Sequence, residues 1–90
     1  VKTFGQTIHD RRKEKGLSLE VVARMCGTHK GYISGIEGRK VNPCSAKITE
    51  RLCKALDLDA ERMIALGWIE KSPAKIRGLM ERWYKAEFGE

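Results

Sequence analysis

Apolar residues recur at three- and four-residue steps along nearly the whole chain, and no stretch alternates strictly over four or more positions as a half-buried strand would. That period commits the chain to helices. Start and stop signals then divide the pattern. A first helix is predicted from near Thr3, with Phe4 and Ile8 inward, stopping at Gly16. Ser18, whose hydroxyl can accept from a first-turn amide, caps a second helix that buries Val22, Ala23 and Cys26 and breaks at Gly27. After a Thr28-His29 turn, a third helix runs from about Lys30 to Gly38 or Arg39. Residues 39–44, which contain Asn42-Pro43, read as a loop. Ser45 caps a fourth helix with Ile48, Leu52, Ala55 and Leu56 inward. Asp59 caps a short fifth, with Met63, Ile64 and Leu66, that ends at Gly67. The last helix starts at Ser72-Pro73, where proline suits the first turn, and extends to Phe88 before Gly89. The expected fold is all-α: a bundle of about five helices in residues 1–67, and an added amphipathic helix in residues 68–90.

Size and charge narrow the function. Ninety residues give room for one compact core but not for a two-lobed enzyme with a deep cleft. There are 18 Lys+Arg against 12 Asp+Glu, a net charge of +6. Residues 1–40 hold nine against four, net +5, and residues 41–90 nine against eight, net +1. A run such as Arg11-Arg12-Lys13 is usually only a solvated face, but here the excess falls on the half that holds the second and third helices, which favours nucleic acid. No apolar run approaches the roughly 18 residues of a membrane span, and the first residues lack the order of a signal peptide. No membrane partner is therefore expected.

Catalysis and metal binding find little support. Cys26, Cys44 and Cys53 are odd in number with no close pair, so neither a disulfide framework nor a zinc site is indicated. His9 and His29 add no ligand spacing, and no metal or cofactor is expected. Gly31, Gly35 and Gly38 lack the strand and the Lys-Ser/Thr of a phosphate loop. No Ser, Cys or Lys nucleophile has a base at a recognisable spacing, and His29 suits a cap or a phosphate neighbour better than a catalytic base. The chain does not read as an enzyme.

One spaced set carries more information. Two helices joined by a three- or four-residue turn and crossing steeply approach closely at one point, where a small residue such as Ala23 avoids a clash. Gly27 can take the left-handed backbone of such a turn. Ile33 and Ile36, three apart, lock the inner face of the third helix, which leaves Lys30, Gly31, Ser34 and Gly35 facing out. With Leu17-Ser18-Leu19 before this set, Tyr32-Ile33-Ser34 and Ile36-Glu37 within it, and Asn42-Pro43 and residues 52–56 (LCKAL) after it, residues 4–56 resemble the Cro and lambda-repressor-like (XRE) helix-turn-helix regulators.

The resemblance implies a sequence-specific, double-stranded-DNA-binding transcriptional regulator, cytoplasmic and nucleoid-associated, with repression the expected sign. It implies major-groove reading by the third helix, about residues 30–38, through Lys30, Gly31, Ser34 and Gly35. Ser18, His29, Arg39, Lys40 and Asn42 fall at or beside positions that hold phosphates. Arg12 and Glu37 match a structural salt bridge between the first and third helices. Two departures stand out: Leu19 occupies a place where many of these repressors present glutamine, and Gly31 and Gly35 offer no side chain to base edges. Either the backbone comes very close to DNA, or specificity comes largely from DNA shape. The alternative is a helix-turn-helix module, an antitoxin or anti-regulator, whose face binds a protein partner.

In the last helix Ile76, Leu79, Met80, Trp83 and Tyr84 are spaced three and four apart, and such a stripe must be covered. It either caps its own core or packs on a second copy. Homodimerisation fits an operator with half-sites about 34 Å apart, since a monomer this small reads only a few base pairs.

Overall fold

In a computed structural model the chain is described over residues 2–38 and 45–89. Six helices and no strand occur among these residues: α1 (Phe4–Glu14), α2 (Leu19–Cys26), α3 (Lys30–Glu37), α4 (Ala46–Leu56), α5 (Ala60–Lys71) and α6 (Ala74–Phe88). The first five begin at residues whose side chains accept a first-turn amide: Thr3, Ser18, His29, Ser45 and Asp59. Each cap satisfies a donor that the helix itself cannot.

Two of the stops share one device, a left-handed residue. At Gly27 the backbone turns left-handed, φ 71°, and the amides of Gly27 and Thr28 return to the carbonyls of Arg24 and Ala23 at 3.2 and 2.9 Å. Asp57 makes the same turn after α4, φ 54°, with the Leu58 amide 3.0 Å from the Cys53 carbonyl.

α5 is longer than its sequence signals imply. It does not stop at Gly67 but passes through it to Lys71, so the expected boundary between residues 67 and 68 lies inside a helix. A glycine in a helix costs only about 1 kcal/mol. Gly67 is buried and borders a small cavity with Ala46 and Thr49 of α4, so packing overrides that cost. The helix stops at Ser72, whose hydroxyl donates to the Trp68 carbonyl at 2.7 Å, and Pro73 follows.

One core unites the helices. Phe4 and Ile8, Val22 and Cys26, Ile33 and Ile36, Leu52 and Leu56, and Met63 and Leu66 all bury against one another. α2 packs on α3 and α4, α1 packs on α3, and α6 packs on α5.

Tyr84 belongs to this core. Spacing places it in the stripe that offers a face to a second copy, but it is 0% exposed, and its hydroxyl accepts from Arg62 Nε at 2.8 Å, so it is a core residue and not an interface one. The reason lies in helical pitch: at about 100° per residue, Tyr84 points roughly 100° away from Trp83. The stripe is thus split. Tyr84 turns inward with Phe88 against it, Met80 is half-buried, and Ile76, Leu79 and Trp83 remain 44%, 60% and 41% exposed. Among the described residues no helix is long and apolar enough to cross a membrane.

Candidate nucleic-acid interface

α2, the three-residue link 27–29 and α3 form the helix-turn-helix. Within α3, Ile33 and Ile36 are buried while Lys30, Gly31 and Ser34 are exposed and Gly35 is half-buried. Two isoleucines three apart fix one side of an eight-residue helix to the core, and by period the other side must face out. Lys30 Nζ leans 3.6 Å from Glu20 Oε1 on α2. Both side chains are exposed, so that pair is worth at most about 1 kcal/mol and yields readily to a phosphate.

Two caps, at the N-termini of α2 and α3, add polar groups. Ser18 Oγ accepts from the Val21 amide at 3.2 Å and keeps its own hydrogen to donate outward. His29 Nδ1 accepts from the Tyr32 amide at 3.2 Å, which leaves Nε2–H as the donor the neutral ring presents. Both side chains are exposed. Arg39, Lys40 and Asn42 lie outside the described residues, as does Cys44. Cys26 and Cys53 are buried.

The far end of α3 is tied to α1. Arg12 Nε and Nη2 donate to Glu37 Oε2 and Oε1 at 2.8 and 3.0 Å, a two-pronged pair whose side chains are 7% and 8% exposed. Arg12 also donates to the Leu17 carbonyl at 3.0 Å, and His9 Nδ1 stands 2.9 Å from Glu37 Oε1. Burial alone would push the Glu37 carboxyl up, but hydrogen bonds from Arg12 and His9, with their charge, outweigh it and hold the carboxyl below its ordinary value. The same bond to Glu37 raises Arg12 against the opposing effect of burial.

Three contributions escaped the sequence reading. Gly5 is buried on α1, and a Cβ there would overlap the Ile36 carbonyl oxygen and press on the Glu37 backbone. His9, whose spacing suggests no role, partners Glu37. Gln6 is the third: with Thr3 and His9 it lines a shallow polar cleft that Ser34, Glu37 and Gly38 close from the other side. A short-range pattern carries no signal for any of these, because each depends on α1 lying across the end of α3.

This geometry agrees with the comparison to known proteins. Residues 3–66 match the family described as a helix-turn-helix domain. The chain belongs to that family. The helix-turn-helix domain is 35% identical over 61 residues to the HTH-type transcriptional regulator SinR of Bacillus subtilis (strain 168), and equally to SinR of Bacillus licheniformis. In each case 68% of this chain and 55% of the relative are covered, so the chain matches only about half the length of these relatives. Among solved structures none matches the chain significantly. The matched region of the helix-turn-helix domain ends at residue 66 and so leaves out all of α6.

Proposed function

We propose that this helix-turn-helix domain is the DNA-reading part of a transcriptional repressor, and that it reads the major groove with the outward face of α3. The observation that carries the reading is the division of α3 itself: Ile33 and Ile36 hold the helix to the core, and Lys30, Gly31, Ser34 and Gly35 are left for a ligand. Ser18 and His29 offer donors to phosphates, and the basic excess of residues 1–40 has the right sign for a polyanion. Arg39, Lys40 and Asn42 extend the phosphate contacts. The resemblance to SinR, a transcriptional regulator by name, supports the same reading.

The domain acts as a homodimer in this proposal, with Ile76, Leu79 and Trp83 of α6 as the two-fold contact and Met80 at its edge. Those side chains are large, apolar and exposed on a helix that the family match does not need. Aromatic residues tend to dominate such contacts.

Selection from a random duplex library tests the reading. The expected return is a two-fold symmetric motif. With about four to six phosphates neutralised per complex, log affinity should fall against log salt with a slope of about −4 to −5. A library that returns no motif, together with a flat salt response, overturns DNA reading and leaves a protein partner for the α3 face.

A further inference from the structure

We infer that Gly31 sets specificity: it keeps the first turn of α3 bare so that the DNA meets backbone there, and the ligand, not the fold, is what excludes a side chain at this position. The inference rests on the proposed DNA-reading function and goes one step beyond it. Gly27 and Gly5 provide the contrast. Gly27 has a left-handed backbone, and Gly5 has the Ile36 carbonyl where a Cβ would go, so in both the fold itself demands glycine. Gly31 meets neither demand. Its φ is not positive, it is exposed, and a Cβ would meet only the His29 ring, at 3.4 Å from Nδ1 and 3.7 Å from Cε1, which is ordinary van der Waals contact. Alanine would fit the free protein.

Glycine is also the wrong residue for helix stability at this place. α3 has only eight residues, and a glycine within it weakens the helix relative to alanine. A residue that harms the helix and is not needed by the packing is explained if a partner must come closer than a Cβ allows. Its neighbours indicate which partner: Gly31 lies between Lys30 and Ser34 on the outward face, with the His29 donor beside it. A side chain at Gly31 would hold the helix off the groove floor by about the length of one carbon–carbon bond, ~1.5 Å, enough to break base-edge hydrogen bonds made by Ser34. Base contacts require that distance, whereas phosphate contacts by long flexible side chains tolerate its loss.

Gly31→Ala and Gly31→Ser provide the test, each measured for melting temperature, for affinity to the duplex selected by the unchanged protein, and for affinity to an unrelated duplex. Gly31→Ala is expected to melt higher, by up to about 4–8 °C. It should bind the selected duplex at least about tenfold more weakly and the unrelated duplex within about twofold. Gly31→Ser, which restores a polar group but not the space, should lose the selected duplex as well. If Gly31→Ala binds the selected duplex as tightly as the unchanged protein, the inference is wrong and the DNA-reading function stands. Equal losses on both duplexes would also overturn it, since they would mark a general electrostatic or structural effect. Should the unchanged protein select no duplex, both fail together.

Discussion

Glu37→Ala isolates the contact on which the placement of α3 depends. The substitution removes both acceptors of the Arg12 guanidinium, at 2.8 and 3.0 Å, and leaves that charge with the Leu17 carbonyl at 3.0 Å. With the two side chains 7% and 8% exposed, water reaches the place of the carboxylate only from the cleft on the His9 side. Breaking one side of a buried pair costs about 3–5 kcal/mol. The partly open His9 side of the site favours the lower end, about 3 kcal/mol. For a domain of this size 1 kcal/mol is about 4–8 °C, so thermal melting followed by circular dichroism should fall by roughly 12–24 °C. Arg12→Met combined with Glu37→Leu removes the unpaired charge and should recover most of that loss. Acid provides the second readout. The folded carboxyl is held below its ordinary value of 4.5, so its stabilisation is complete above that pH and is lost as pH falls through the lower folded value. Glu37→Gln, which cannot ionise, should therefore be less stable than the unchanged protein at neutral pH, and the gap should close under acid. A Glu37→Ala melting point within about 3 °C of the unchanged protein, or a Glu37→Gln gap that ignores pH, refutes the argument.

Two further outcomes follow from packing. Gly5→Ala, a change that usually stabilises a helix, should here cost about 1–3 kcal/mol in urea unfolding, because the new Cβ meets the Ile36 backbone carbonyl, which cannot rotate away. An unchanged or raised midpoint would mean that α1 and α3 do not approach so closely. Tyr84→Ala should unfold the protein easily, with about 3–5 kcal/mol lost from a fully buried ring, while Trp83→Ala should melt almost normally and weaken only self-association in sedimentation. The opposite pattern would exchange the roles of the two aromatics.

The sequence revealed the helices and most of their caps because those signals are local. Ser18, Gly27, Ser45, Asp59 and Gly89 act through backbone amides and carbonyls a few residues away, and the structure uses each one. Gly67 misled for the same reason: it carries the residue type of a stop, but its burial beside α4 keeps it helical. The stop at Asp57 was silent because aspartate takes a left-handed backbone only sometimes. The inward turn of Tyr84 was hidden by a coarser limit. Spacing of three and four marks a broad arc of helix, and Trp83 and Tyr84 both satisfy it although one faces solvent and the other the core. On the candidate interface, the outward face of α3 was legible from Ile33 and Ile36 alone. Gln6, His9 and Gly5 were not, since only the folded chain brings α1 against the end of α3.

Under the proposed function, the division of labour within α3 lets such a small domain hold the helix firmly and still leave its outward face free for DNA. Its inner residues, Ile33 and Ile36, carry the hydrophobic contact; its C-terminal end is clamped by Glu37 to Arg12 and by the bare backbone of Gly5; its N-terminal end is held by the His29 cap and the turn at Gly27. Each of these restraints acts from behind the helix or at its ends. Among the described residues, the outward positions Lys30, Gly31 and Ser34 contribute one exposed ion pair, Lys30 with Glu20, to the free fold. Substitutions of Lys30 or Ser34 on that face should therefore move DNA preference with little change in stability, and Gly31→Ala should do so while raising it. Substitutions at Gly5, Arg12 or Glu37, which touch no base, should lower stability and DNA affinity together, because they release the helix from the angle at which the face is presented.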